Sequence, residues 1–213
     1  MKNVMFISVH PDDETLGSGG TILKHIADGD DVTCVFITSG NSLQSEMIEQ
    51  LNSHYLYKKS ISLNFPELKL KDISLNFLIP KLTEVFNQCN PQILYIPNRS
   101  DIHSDHRAVF EAIMACTKTF RFPSIEQILM CEVISETDFA PALIEMAFIP
   151  NYFIDISFFF DKKIEILNIF KSELLPYPQT RNISTMSALN RYRGSQIGTE
   201  YAEAYMLLKQ IVR

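Results

Sequence analysis

Asn3–Val9 (NVMFISV) is an apolar run rich in β-branched residues, and a second, Asp31–Thr38 (DVTCVFIT), follows it after one intervening segment. Runs with no polar alternation belong to strands covered on both faces, as in a parallel sheet. Between them, a polar turn and the sequence LGSGGTILKHIADGD supply glycines, a helical period through Ile22, Leu23 and Ile26, and a stop at Gly29. Strand, helix and strand in this order make a βαβ unit, nearly always right-handed with parallel strands.

The rest of the chain extends the alternation. Ser45–Lys59 and Ile73–Cys89 have helical patterns, the latter with Ile73, Phe77, Leu78, Leu82 and Phe86 on one side. Gln92–Ile96 is expected as a third parallel strand, and Pro97–His103 as a polar loop. A helix is expected from about Asp105 to Thr117, with Ser104 as its N-cap. Gln127–Val133 and Tyr152–Ile156 are expected as strands, and Phe158–Phe170 and Ser184–Val212 as helices, the last interrupted near Gly194. The pattern predicts an α/β fold: an open, mostly parallel sheet flanked by helices, with ligands bound outside the carboxyl ends of the strands.

At roughly 150 residues per domain, 213 residues point to one domain, 1–213. With 46% hydrophobic residues there is ample material for one core. A net charge of −6 and the absence of a dense basic stretch disfavour nucleic acid or an anionic membrane as partner. Cys34, Cys89, Cys116 and Cys131 are too widely spaced for a CxxC motif and read as reduced and mostly buried. With neither a signal peptide nor a long apolar segment in view, a soluble cytoplasmic protein is expected.

Two polar segments carry the chemistry. His10-Pro11-Asp12-Asp13-Glu14 lies where the first strand ends, and Asp101-Ile102-His103-Ser104-Asp105-His106 follows the expected third strand. A parallel sheet brings both to one rim. The bland readings are an acidic turn complementing a helix dipole and a polar helix start. Three of only five histidines in two such loops weigh against them. Two histidines and one carboxylate leave coordination positions open, as catalytic zinc requires. Asp12 would then serve as base, His103 as acid or electrostatic donor, and Asp105 as a residue orienting an imidazole; spacing does not decide which side chain takes which role.

HPDDETLGSGGTI at 10–22, DIHSDHRAV at 101–109 and, more weakly, RYRGSQIGTEYAEAY at 191–205 resemble the LmbE-like, or PIG-L-like, metal-dependent N-deacetylases. The resemblance implies a Rossmann-like fold and zinc-dependent removal of an N-acyl group, usually acetyl, from an amino sugar. It matches His10, Asp13 and His106 to the metal ligands, one zinc ion per chain, with Fe²⁺ as the other metal considered. It matches Asp12 to the base, His103 to the histidine that stabilises the intermediate or protonates the amine, and Asp105 to the carboxylate that orients it. Many relatives carry a substrate-contacting arginine after the second strand, whereas this chain has none between Gly40 and Arg99. Arg99 and Arg193 are the substitutes considered, and Tyr192 is considered as an oxyanion donor, each against an ordinary surface or packing role.

Other features read blandly. Gly17-Ser18-Gly19-Gly20 lacks a phosphate-binding spacing and is expected to pack closely behind the metal loop. Asn182-Ile183-Ser184 fits a glycosylation acceptor that a cytoplasmic chain would not use. Phe158-Phe159-Phe160 reads as core or as a homo-oligomer contact rather than a membrane element. The expected function is zinc-dependent deacetylation of a small N-acetylated sugar or sugar conjugate. Its rivals are a mononuclear Fe(II) oxygenase on the same triad and a non-catalytic, metal-containing sugar-binding protein.

Overall fold

The computed structural model describes residues 1–39 and 42–213. Its strands are β1 (Asn3–Ser8), β2 (Asp31–Thr38), β3 (Lys59–Phe65), β4 (Ile93–Ile96), β5 (Gln127–Cys131), β6 (Tyr152–Asp155) and β7 (Ala202–Gln210). Its helices are α1 (Asp13–Ala27), α2 (Ser42–Tyr55), α3 (Leu75–Cys89), α4 (Ser104–Cys116), α5 (Phe160–Leu167) and α6 (Ile183–Ser195), with short 3₁₀ turns between some of them. The sheet order is β3-β2-β1-β4-β5-β7-β6. β1 to β5 run parallel, and β7 lies antiparallel to both β5 and β6.

The apolar runs have the predicted cause. Along β1, Val4 and Phe6 enter one buried layer with Leu16, Ile22, Leu51 and Ile166. Met5 and Ile7 enter the opposite layer with Leu82, Phe86, Val109 and Ile113. Helices therefore cover both faces. β1 stands where the order of the strands reverses, with β2 on one side and β4 on the other, so a crevice opens beyond their carboxyl ends. The loops holding the two polar motifs meet there.

Three expectations are corrected. The expected helix over Ser45–Lys59 ends at Tyr55, and β3 begins at Lys59. Its polar and apolar residues alternate through Ser60, Ile61, Ser62 and Leu63, which is edge-strand patterning rather than helix. The expected helix over Ser184–Val212 is α6 followed by β7. Alanine, glutamate, leucine and lysine give 202–210 helical propensity, but the slot between β5 and β6 overrides it. The cap of α4 is His103, whose side chain accepts from the Asp105 N–H, and not Ser104.

The glycines of α1 serve close packing: a Cβ on Gly20 would lie 2.6 Å from the Cβ of Ile156. Phe160 is buried and stacks on Tyr201, while Phe158 is exposed. The four cysteines are free, with Cys34, Cys116 and Cys131 buried. Gly40 and Asn41, part of the loop expected after β2, lie outside the described residues. Among the described residues no helix is long and apolar enough to cross a membrane.

α1 is also gripped from the far end of the sequence. The Lys163 ammonium, fully buried, donates to Leu16 O at 2.9 Å and to Glu203 Oε1 at 2.7 Å. Glu203 in turn accepts from the Gly20 and Thr21 N–H groups at 3.0 and 2.8 Å. The ion pair joins α5 and β7 to the backbone of the helix that begins at Asp13.

Candidate metal centre

The turn after β1 is tight: His10 O accepts from the Asp12 and Asp13 N–H groups, and Asp13 Oδ2 accepts from the His10 N–H at 2.8 Å. Pro11 fixes one φ in it. Across the crevice, His106 is buried in the first turn of α4, and its Nδ1 lies 2.8 Å from Asp101 Oδ2. Asp101 Oδ1 accepts from Asn98 Nδ2 at 3.1 Å and Thr137 Oγ1 at 2.8 Å. Those bonds place a proton on His106 Nδ1, so that Nε2 is the nitrogen that would ligate an ion. That atom lies 3.2 Å from Asp13 Oδ2.

Among the described residues, two overlapping trios have donor atoms within 4.8 Å of one another: His10, Asp13 and His106, and His10, His103 and Asp105. Hydrogen bonding separates them. His10 Nε2, Asp13 Oδ1 and His106 Nε2 are buried with no hydrogen-bond partner. In the second trio, the Asp105 oxygens accept from the Leu68 and Leu70 N–H groups at 2.7 and 3.0 Å, and His103 Nδ1 accepts from the Asp105 N–H at 3.1 Å. Buried polar atoms without partners are costly, so the first trio has the unfilled valence. Two imidazole nitrogens and a carboxylate oxygen suit zinc or another divalent transition ion.

The carboxylates and imidazoles act strongly on one another's charge. Burial alone would raise the Asp13 carboxyl, but His106 and His10 hold it well below the usual range. Burial pulls His10 down, yet the carboxylates of Asp105 and Asp13 carry it up to about 9. Asp12 is pushed up to about 7 by burial and by the Asp13 charge, with Arg181 opposing.

His10, Asp12, Asp13, His103, Asp105 and His106 thus gather at one rim, but two expectations need correction. The Asp105 carboxylate is held by the Leu68 and Leu70 amides, with His10 Nε2 3.7 Å away, and it is the Asp105 backbone N–H that meets His103. The carboxylate that orients an imidazole is that of Asp101, on His106. Arg99, Tyr192 and Arg193 do not line the cleft. Arg99 donates to Glu145 O, Arg193 is paired with Glu132, and Tyr192 is exposed beneath the Arg193 guanidinium.

The arginine in the cleft is Arg181, which donates to Asp12 Oδ2 at 3.0 Å, Glu136 Oε1 at 3.0 Å and Ser135 Oγ at 2.7 Å. It stands just before Asn182, which caps α6 through its side chain. Nothing in its local sequence marks it, because its partners lie far away in the chain. Together with His10, Asp12, His103 and Glu136 it lines a cavity of about 440 Å³.

The chain is similar to several known proteins. Residues 5–117 match the PIG-L family model, described as GlcNAc-PI de-N-acetylase. A deacetylase of Escherichia coli K12, YaiS, itself uncharacterized, is 29% identical over 133 residues, covering 55% of this chain and 69% of that protein. The N,N′-diacetylchitobiose deacetylase of Pyrococcus horikoshii superposes with a TM-score of 0.75 at 19% identity, covering 98% of this chain and 84% of that one. The 4-carboxy-2-hydroxymuconate hydratase GalB of Pseudomonas putida KT2440 superposes with a TM-score of 0.71 at 16% identity, covering 100% and 98%. The shared fold therefore supports different reactions. The family match spans more than half of the chain and takes in both polar motifs. The chain belongs to the PIG-L family.

Proposed function

We propose that the cleft is the active site of a zinc-dependent N-deacetylase acting on an N-acetylated amino sugar or sugar conjugate. The observation that carries this reading is that His10, Asp13 and His106 offer ligand atoms within 4.8 Å of one another, each residue with a buried polar atom lacking a hydrogen-bond partner, while His10 and the neighbouring Asp12 line the open cavity. A divalent ion held there supplies Lewis acidity toward the acetamide carbonyl and lowers the pKa of a bound water. Asp12 accepts the proton of the attacking water. Arg181 holds Asp12 Oδ2 and so leaves Oδ1 for that exchange. His103 Nδ1 accepts a backbone N–H, which places the ring proton on Nε2 as a donor to the oxyanion. As the C–N bond breaks, Asp12 returns the proton to the leaving nitrogen, giving acetate and a free amine. The test is acetate release by the zinc-loaded protein across N-acetylhexosamines, their nucleotide conjugates and their glycosides. No release from any of them would sink the reading.

The Fe(II) oxygenase reading has no use for the Asp12–Arg181 pair, and oxygen uptake by iron-loaded protein would be the sign of it. A sugar-binding protein without catalysis has no use for it either. The free cysteines support a reducing compartment such as the cytoplasm.

Two variants probe the site. Asp101→Asn should lower zinc affinity about 10–100-fold by removing the charge behind His106, read by chelator competition; unchanged affinity would detach Asp101 from the ligand. His103→Ala should cost about 2.7–4 kcal/mol of transition-state stabilisation, mostly in kcat. A rise confined to KM would make His103 a binding residue instead.

A further inference from the structure

Beyond the reacting end, the cleft is acidic. Among the described residues that line it are Asp12, Glu67, Glu136 and Glu173, with Arg181 as their arginine or lysine. That guanidinium is already committed to Asp12, Glu136 and Ser135. Three of its five N–H groups are engaged in this way, and its charge is already met by two carboxylates. Glu67 is met by the neutral Gln44 amide at 3.1 Å, and Glu173 lies exposed at the rim.

Glu136 stands apart from the rim carboxylates. It is only 7% exposed, and its Oε2 is buried with no hydrogen-bond partner, while Oε1 takes Arg181. The backbone around it is held firmly. Ser135 has φ +73°, in the left-handed region, and Glu136 O accepts from the Ile102 N–H at 3.1 Å, tying it to the loop of His103. Strained non-glycine backbone persists where the surroundings over-determine it, and such positions cluster at ligand clamps. An unpaired buried carboxylate oxygen in a clamped position needs a donor that arrives with the ligand.

We propose that Glu136, with Glu67 and Glu173 nearby, forms a subsite for a free ammonium on the substrate, next to the acetylated ring. Resting on the deacetylase reading above, this names the substrate class: a neutral-to-cationic amino-sugar conjugate, not a phosphate-linked one. An ammonium has three donors and can satisfy Oε2 while lying near a second carboxylate. A phosphate placed there would face the carboxylates of Glu136, Glu67 and Glu173, with the Arg181 charge already paired to Asp12 and Glu136.

The test is calorimetric binding to the zinc-loaded protein, with acetate release read separately on the acetylated probes. The probes are chitobiose with both amines free, N,N′-diacetylchitobiose and UDP-N-acetylglucosamine. Wild type should bind chitobiose tightest and UDP-N-acetylglucosamine weakest. Glu136→Gln should cut the advantage of chitobiose over diacetylchitobiose about tenfold. Glu173→Gln, a rim change that leaves the buried cluster intact, should cut it about threefold and serves if the first variant folds poorly. Equal or tighter binding of UDP-N-acetylglucosamine, or an advantage untouched by both substitutions, would overturn the subsite. Charge preference with no acetate release from the acetylated probes or from the wider panel above would reject the deacetylase reading and leave the subsite standing; release without charge preference would do the reverse.

Discussion

Asp12→Asn should keep its zinc and lose turnover by a factor of about 10²–10⁴, the usual contribution of a positioned base. Asparagine preserves the size of the side chain and still offers Arg181 an acceptor, so the 3.0 Å contact that fixes this position survives. What it cannot do is take the proton of the attacking water or hand it to the leaving nitrogen. The substitution spares the three partnerless donor atoms, because none belongs to Asp12. Single-turnover acetate release at saturating zinc, with metal content measured on the same sample, separates the two effects. Turnover near that of wild type would remove Asp12 from the mechanism, whereas lost zinc would make it a ligand.

The largest stability effect is expected away from the cleft. Lys163→Met should destabilise the fold by about 3–5 kcal/mol, the cost of leaving one member of a buried ion pair without its partner. Glu203 would retain the Gly20 and Thr21 N–H groups but face the interior without a counter-charge, and Leu16 O would lose its donor. For a chain of this size that corresponds to a fall in Tm of about 6–20 °C, at about 2–4 °C per kcal/mol. Adding Glu203→Gln should recover part of the loss, because the amide is neutral and its oxygen can still accept from the helix. Urea denaturation of the single and double variants checks this. A Lys163→Met chain as stable as wild type would mean that the ion pair is neutral in the balance.

Where local pattern and tertiary demand agree, the sequence is readable. β1 and β2 are continuous apolar runs because helices cover both faces, and the two polar loops meet because both follow parallel strands on the same edge. β7 was hidden because its residues favour helix in isolation and only the gap between β5 and β6 makes them a strand. The roles of Arg181, Glu136 and Asp101 come from contacts between residues far apart in the chain or from a choice among neighbouring carboxylates. Asp101 sits in the same motif, yet the family resemblance points to Asp105 as the carboxylate behind an imidazole. Only the hydrogen-bond partners of the two side chains reverse that choice.

The position of β7 also sets a schedule for synthesis. His10, Asp13 and His106 have all been made by the time β5 is complete, but the outer edge of β5 and the whole of β6 lack their partner until residues 202–210 emerge. At about 5–20 residues per second, a nascent chain passes roughly 4–16 s between the end of β5 and the end of β7 with that edge unpaired. Ile128, Leu129 and Met130, buried in the finished protein, lie along it. An exposed apolar edge is a template for pairing with another chain, so this interval is when the polypeptide most needs a chaperone, although every residue of the proposed metal site already exists.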